Sequence, residues 1–319
     1  MAGNGPCLVW SNGRSRVLAF GILGVLLAML AAGKLASRVG LLGIRGVQTL
    51  NLLLLYVCLP ASVLRNVPGM RYSVDLTWIV LLPWLLMGGN LVVVTLLGRA
   101  LKLDRQVRAV LTLCVPLGNT SFLGYPLVTA FFGSSALPCA IVYDQFGTFL
   151  ILSTAGVVIL ARASGEATPR AREVVLRILR FPPLIALAVA LTVMPTDMPG
   201  VIDDSLRILS ETLLPLAALS IGTQLDFRLP LESRPALLLG LAIKLAIMPA
   251  IAMFFSARAS LDPVQTHVVV VESAMPPMVT AAALAVSHRL APSFAAGLVG
   301  YGTLLSLVTL PMWVLVVRT

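Results

Sequence analysis

Three ionisable side chains lie inside stretches of this sequence that are otherwise almost entirely apolar. They are Asp144, Lys244 and Glu272. Holding a charged group in the hydrocarbon of a membrane costs about 3 kcal/mol, so each of them should face a partner, water or an ion. Buried charges of this kind bind ions, relay protons or neutralise one another, and these are the chemistries that the residue types allow.

Glu272 lies one helical turn before a pair of prolines, Pro276 and Pro277. Proline interrupts helical hydrogen bonding, which leaves carbonyl oxygens near the carboxylate that could complete a cation site. We therefore expect Glu272 to bind a sodium ion or to carry a proton, with a salt bridge to Lys244 as the alternative. Lys244 is expected to compensate a carboxylate or else to attract an anion. For Asp144 the simpler interpretation is a position at the end of a helix, near water.

A second group of candidate residues interrupts an uncharged run over residues 109–143. Residues 114–126 read CVPLGNTSFLGYP and contain two prolines and two glycines, which disfavour a continuous helix. A helix that restarts here presents free amide hydrogens and partial positive charge, so it can hold an anion without a buried arginine. The side chains of Asn119, Thr120 and Ser121 would add donors to such a site.

Composition indicates an all-α integral membrane protein. Of the 319 residues, 58% are hydrophobic and 11% are charged, and the mean hydropathy is +0.98. The longest polar stretch, residues 162–180, is too short to form a soluble domain. Neither a zinc site nor a disulfide framework is indicated by the cysteines, which lack C-x-x-C spacing and are expected to be free thiols. The cysteines are Cys7, Cys58, Cys114 and Cys139. No cofactor is expected beyond sodium or protons as coupling ions.

Apolar runs separated by polar connections predict ten transmembrane helices. Their approximate ranges are 17–33, 46–64, 76–98, 109–131, 137–161, 181–196, 205–225, 236–256, 265–286 and 293–317. The first run follows Arg14 and Arg16, as in a signal peptide, but we expect it to be retained because nine further runs follow.

The distribution of basic residues predicts the orientation. Of the 23 lysines and arginines, fifteen fall in the connections after spans 1, 3, 5, 7 and 9, and seven fall on the opposite side. The positive-inside rule then places both termini outside the cytoplasm, in a multi-pass protein of the inner or plasma membrane. This asymmetry accounts for the net charge of +10, so no nucleic-acid partner is expected.

Five spans in each half require the second half to insert upside down relative to the first. The predicted units are a first inverted repeat over residues 1–162, a short cytoplasmic loop over 163–180 and a second inverted repeat over 181–319.

The interruption in span 4 has a counterpart in span 9, where residues 272–277 read ESAMPP. Broken helices at matching positions of two inverted halves are typical of secondary transporters, whose site lies where the broken helices cross.

A motif of the form N-x-x-F-x-G-x-P in span 4 resembles that of the auxin efflux carrier family, which includes plant PIN carriers and many bacterial members. The resemblance extends over about residues 17–317. The residues that carry it are Asn119, Phe122, Gly124 and Pro126 in span 4, Ala274, Met275 and Pro276 in span 9, and Asn51, Leu59 and Pro60 in span 2.

The resemblance implies a fold similar to that of bile-acid symporters and sodium/proton antiporters, with a scaffold domain and a transport domain. It implies transport of small organic anions such as carboxylates by an elevator-type motion. Asn119 matches the family's ligand for the substrate carboxylate, and Asn51 matches a polar residue near the same site. Tyr125 and Met275 are expected to pack or to line the cavity wall. The helix breaks at the crossing are Gly124, Pro126, Pro276 and Pro277.

The plant carriers have a long cytosolic loop between spans 5 and 6, which is reduced to residues 163–180 here, so the substrate need not be auxin.

The alternatives to a transporter are an intramembrane protease, a membrane sensor and a channel. An intramembrane aspartyl protease would need a second aspartate, but the sequence GYGT at residues 300–303 lacks it, and no catalytic residue is assigned. A sensor would bind a small ligand without transporting it, and a channel would usually show a filter motif. A homodimer formed through span 1 or span 6 is compatible with any of these classes.

Overall fold

A computed structural model describes residues 13–68, 70, 76–227, 231–259 and 261–318 of the chain. Cys7 lies outside these ranges, as do Arg71 and Arg228, two of the 23 basic residues counted for the orientation. All regular secondary structure in the described residues is helical, so the prediction of an all-α protein is confirmed. Cys58, Cys114 and Cys139 are free.

Seventeen α-helices are numbered here in chain order within the described ranges. They are α1 Gly13–Arg38, α2 Ile44–Leu53, α3 Leu59–Asn66, α4 Leu76–Ala100, α5 Arg105–Cys114, α6 Tyr125–Phe132, α7 Leu137–Val142, α8 Val157–Ser164, α9 Ala171–Leu179, α10 Pro182–Thr192, α11 Gly200–Glu211, α12 Leu213–Gln224, α13 Arg234–Ala242, α14 Met248–Arg258, α15 Pro263–Ala274, α16 Val279–Ser287 and α17 Pro292–Val316.

Six helical segments of the described chain are long and apolar enough to cross a membrane. A seventh is added if α9 and α10, which are bent by 59° relative to each other, form one span. The six segments are Arg45–Asn66, Leu76–Ala100, Ser134–Ser164, Gly200–Gln224, Arg234–Arg258 and Pro292–Val316. They coincide with predicted spans 2, 3, 5, 7, 8 and 10, whereas predicted spans 4 and 9 each correspond to two short helices. The total of ten crossings therefore stays a prediction.

Several of these segments contain a turn of π-helix, which rotates the side chains that follow and leaves a carbonyl without its usual partner. Asp144 lies in the π-turn Tyr143–Phe149, and Lys244 lies in the π-turn Ile243–Ile247. In each turn, a tryptophan indole donates to a carbonyl. Trp84 bonds the oxygen of Phe146 at 3.0 Å, and Trp313 bonds the oxygen of Leu245 at 2.8 Å. Such donors are needed where no water is available.

Helices α1 and α12 pack with their backbones in close approach. A Cβ atom on Gly33 of α1 would overlap the carbonyl oxygen of Leu219, and one on Gly222 of α12 would overlap that of Leu30. Glycine at both positions therefore allows an approach that a side chain would prevent. A second extensive contact joins α10 to α3.

Two interruptions in the helical structure meet in the interior. After α5 the chain leaves the helix until a π-turn at Thr120–Gly124 leads into α6, and residues 275–278 separate α15 from α16. The amide of Asn119 donates to the carbonyl of Pro276 at 2.8 Å, and the amide of Met278 donates to that of Leu117 at 2.9 Å. These bonds form an antiparallel bridge and satisfy backbone groups that the broken helices leave unpaired.

The connection predicted as a short loop over residues 163–180 contains a helix. Residues Ala171–Leu179 form α9, which buries none of its side chains fully. Glu173 accepts a hydrogen bond from the amide of Arg170 at 3.3 Å, which caps the start of the helix. An amphipathic helix needs an apolar face on one side only, so the charged residues of this stretch are compatible with a helix.

Candidate functional site

The site is built around Asn119, the last residue before the helix restarts. Its carbonyl accepts from the amides of Leu123 and Gly124 at 3.3 Å and 3.1 Å, so its backbone begins the new helix. Its side chain is only 3% exposed. The side-chain nitrogen Nδ2 has no hydrogen-bond partner among the described residues, and buried donors in proteins are rarely left unpaired. This amide is therefore available to bind an acceptor.

The first amides of each restarted helix add to this donor. The initial N–H groups of a helix have no partner within it and carry partial positive charge. The π-turn that begins at Thr120 and helix α16, which begins at Val279, both start beside the backbone bridge. Two helix N-termini thus meet near Asn119, and such an arrangement favours a negatively charged ligand.

Asp144 is fully buried, so its interpretation as a helix-end residue near water is wrong. Oδ1 accepts from the hydroxyls of Ser121, at 2.9 Å, and Thr120. Oδ2 accepts from the hydroxyl of Tyr125 at 2.9 Å and from Nε2 of Gln145 at 3.0 Å. Four donors can hold a carboxylate in an apolar interior without a cation. Asp144 therefore ties the restarted helix to the segment that follows it.

This network changes the role of two predicted donors. The hydroxyl hydrogens of Thr120 and Ser121 point at Asp144 and are not free for a second acceptor. Among the three consecutive polar residues, Asn119 alone keeps an unpaired side-chain donor.

Glu272 is completely buried, at 0% exposure, near the end of α15. In the part of the chain that the structure describes, neither of its carboxylate oxygens has a hydrogen-bond partner. Its side chain lies against Gly124, where a Cβ atom would come within 2.6 Å of Oε1 and 2.8 Å of Cδ. A buried carboxylate without donors is costly in its ionised form, so it is suited to binding a cation or a proton.

Lys244 is also fully buried. Its ammonium group donates to the carbonyl of Ser273 at 3.1 Å and lies beside Gly118, where a Cβ atom would be 3.1 Å from Nζ. Within the described residues no carboxylate lies within 4.0 Å of the Lys244 ammonium, so the salt bridge considered between Lys244 and Glu272 is not formed in this conformation. One ammonium and two carboxylates thus share the crossing region without direct pairing.

The structure also places the other residues that were predicted to belong to the site. Met275 is buried and packs beside Gly118. Pro126 is in the first turn of α6, and Pro277 packs against Gly302 of α17. Pro276 supplies the carbonyl bonded by Asn119.

Asn51 is attached to this region only through a neighbouring helix. Its Oδ1 accepts from the hydroxyl of Ser220 at 2.6 Å. Ser220 lies on α12, which packs against the π-turn Thr120–Gly124. Asn51 is thus one helix removed from Asn119.

Sequence reasoning missed the polar roles of Tyr125 and Gln145. Tyr125 was expected to pack or line a wall, yet its hydroxyl bonds Asp144 and accepts from Gln145 at 3.3 Å. The available signal was an aspartate in an apolar run, since buried carboxylates need donors; Gln145 is its neighbour in sequence, whereas Tyr125 lies in the preceding predicted span.

Comparisons with known proteins agree on one family. The family described as "Membrane transport protein" matches residues 19–314. An uncharacterized transporter of Methanothermobacter thermautotrophicus is 31% identical over 302 residues, which cover 92% of this chain and 96% of the relative. An uncharacterized transporter of Methanocaldococcus jannaschii is 26% identical over 304 residues, which cover 91% and 96% of the two chains.

Proposed function

This chain belongs to the membrane transport protein family, the PIN-like auxin efflux carrier family, and from that premise we propose that it is a secondary transporter of small organic anions. The resemblance drawn from the N-x-x-F-x-G-x-P motif is thereby confirmed. Membership of this family indicates a membrane transporter. More specifically, we propose that a small carboxylate binds where the two interrupted segments meet.

The observation that carries this proposal is the unpaired, buried Nδ2 of Asn119. It lies at the start of a restarted helix whose first amides are also free to donate. An anion placed there would gain a charge-assisted hydrogen bond and the favourable field of the helix terminus. A cation would be repelled by the same groups, so an organic anion is the favoured substrate.

We further propose that the site is exposed alternately to the two sides by an elevator-type motion of two inverted halves. The packing of α1 against α12 corresponds to a contact between predicted spans 1 and 7. The packing of α10 against α3 corresponds to a contact between predicted spans 6 and 2. A pseudo-twofold relation exchanges these two contacts. Their occurrence supports a fold of ten spans, with spans 4 and 9 as the broken pair.

Coupling to sodium or protons is proposed to act through Glu272. Its two oxygens lack donors, and it contacts the same π-turn that Asn119 begins. Binding of a cation or a proton at Glu272 would change the charge beside the anion site, so the two ligands would be energetically linked.

The binding site is tested with purified protein and a panel of acetate, benzoate, succinate and citrate, with and without sodium. A ligand raises the unfolding temperature by mass action. Asn119→Ala should weaken binding of the ligand found by about tenfold to a hundredfold, because one hydrogen bond to a charged group is lost. Asn66→Ala is the matched control, since its amide bonds only the carbonyl of Ser62 within its own helix, at 2.8 Å.

Turnover is tested by counterflow of the labelled ligand in proteoliposomes. A transporter exchanges labelled for unlabelled substrate, whereas the alternative, a membrane sensor, binds its ligand without exchange. Wild-type affinity of the Asn119→Ala protein would remove Asn119 from the site. Binding without counterflow would overturn the transport mechanism while retaining the site.

A further inference from the structure

A cavity away from the crossing contains an unusual concentration of positive charge. It has a volume of about 250 Å³ and lies between α4, α5 and α8. Arg105 and Arg108 of α5 and Arg162 of α8 line it together with apolar side chains. Three guanidinium groups therefore converge on a small space at one end of these helices.

None of these three arginines is neutralised by a carboxylate within the described residues, where the ion pairs involve other side chains. Arg105 donates to the carbonyl of Arg162, and the Nε of Arg108 is buried without a partner. Asp104 is the adjacent acidic residue in sequence, but its carboxylate caps α5 by accepting from the amide of Gln106 at 2.8 Å. The cavity is therefore electrostatically suited to an anion.

Apolar side chains also line the cavity. Leu91 and Val94 of α4 and Ile159 of α8 form part of the lining. Leu91 lies nine residues before Ala100, the end of α4, which corresponds to about 13 Å along the helix axis. Leu91 is 47% exposed, on a helix apolar enough to cross a membrane. The cavity thus combines three arginines with an exposed apolar surface of a helix that is long and apolar enough to cross a membrane.

We propose that this cavity binds the phosphate headgroup of an anionic membrane phospholipid. Guanidinium groups bind phosphate oxygens in a planar, bidentate geometry, and the apolar wall beside them can accommodate an acyl chain. Free phosphate would satisfy the charge but would leave Leu91 and Ile159 without an apolar ligand. The three arginines also fall on the side of the membrane with the greater number of basic connections, where anionic lipids are recognised by such pockets.

Binding at this position would act on the interrupted segment itself. Arg105 and Arg108 lie on α5, whose opposite end leads into the backbone bridge at the crossing. A bound headgroup would join the N-terminal half of that segment to α8. This inference does not depend on the transported substrate.

The main test is native mass spectrometry of the purified protein titrated with phosphatidylglycerol or phosphatidylcholine. The guanidinium of Arg162 makes no hydrogen bond or ion pair within the described residues, so Arg162→Gln should leave the fold intact. It should weaken phosphatidylglycerol binding by about fivefold, the amount expected for one basic residue at an anionic surface. A double variant, Arg105→Gln with Arg162→Gln, should weaken it further.

A double variant on α9, Arg172→Gln with Arg177→Gln, is the matched control. It removes the same charge from the same predicted side of the membrane, but these residues do not line the cavity, so phosphatidylglycerol binding should be retained. Equal loss of binding in both double variants would show a nonspecific charge effect and overturn the proposal.

Thermal denaturation distinguishes binding of the lipid from binding of free inorganic phosphate. Phosphatidylglycerol should raise the unfolding temperature of the wild type more than inorganic phosphate or phosphatidylcholine does. Phosphatidylglycerol should raise the unfolding temperature of the Arg162→Gln protein by less than it raises that of the wild type. Stabilisation by inorganic phosphate equal to that by phosphatidylglycerol would overturn the assignment to a lipid.

Discussion

The carboxylate of Glu272 lies directly against the α-carbon of Gly124, where any side chain would occupy the same space. The contact joins the end of α15 to the π-turn that follows Asn119, close to the backbone bridge between the same two segments. Neither Glu272 oxygen is hydrogen-bonded. The turn that we propose to bind the substrate is thus in contact with a buried acid, and we propose that this contact couples the two ligands.

Replacing Gly124 with alanine should disturb both segments. The added methyl group would be 2.6 Å from Oε1 of Glu272, so one of the two must move, at a cost of about 1 to 3 kcal/mol for overpacking. We expect a lower unfolding temperature and weaker carboxylate binding. Gly88→Ala on α4 is the control, because a Cβ there meets nothing within 4 Å. Similar unfolding temperatures and affinities for the two variants would contradict this account of the contact.

The Glu272→Gln protein should lose the response of transport to its coupling ion. Glutamine cannot release a proton and has no negative charge to attract sodium, so uptake of the labelled carboxylate should no longer depend on pH or sodium gradients. Glu211→Gln is the control, since Glu211 is exposed and pairs only with Arg207, at 3.8 Å. Gradient dependence in Glu272→Gln equal to that of wild type would exclude Glu272 from coupling, as would a wild type indifferent to both gradients.

Tyr125→Phe should destabilise the protein without unfolding it. The variant removes one of four donors to Asp144, and a hydrogen bond to a charged group contributes about 1.5 to 3 kcal/mol. Thermal denaturation should show a clear decrease. Tyr56→Phe is the control because the Tyr56 side chain is 59% exposed. If both variants unfold at the wild-type temperature, the Asp144 network does not contribute to stability as we infer.

Gly33→Ala should weaken the packing of α1 on α12, whereas Gly24→Ala on the same helix should not. Alanine favours a helix by about 1 kcal/mol over glycine, so Gly24→Ala, where a Cβ meets nothing within 4 Å, should be neutral or stabilising. At Gly33, the Cβ would overlap the Leu219 carbonyl, and the helices must separate. The unfolding temperature should therefore fall for Gly33→Ala and stay the same or rise for Gly24→Ala, and a rise for Gly33→Ala would contradict the close approach.

Much of the helical structure could be predicted from the lengths of the apolar runs in the sequence. Predicted spans 76–98 and 293–317 coincide closely with Leu76–Ala100 and Pro292–Val316, because a bilayer requires a long apolar run. The helix α9 was missed because its charged residues interrupt any long apolar run. Asp144 was assigned to a helix end because nothing in the sequence identified which four donors would surround it.

The sequence by itself determined an all-α membrane protein of a transporter family, two places where helices are interrupted, and the ionisable residues beside them. These properties follow from composition, from proline and glycine, and from a local motif. Only the tertiary structure decided that Thr120 and Ser121 serve Asp144, that Asn119 keeps a free donor, and that Glu272 contacts Gly124 rather than Lys244. Those pairings join segments distant in the chain, and the choice among donors depends on how the helices are placed in space.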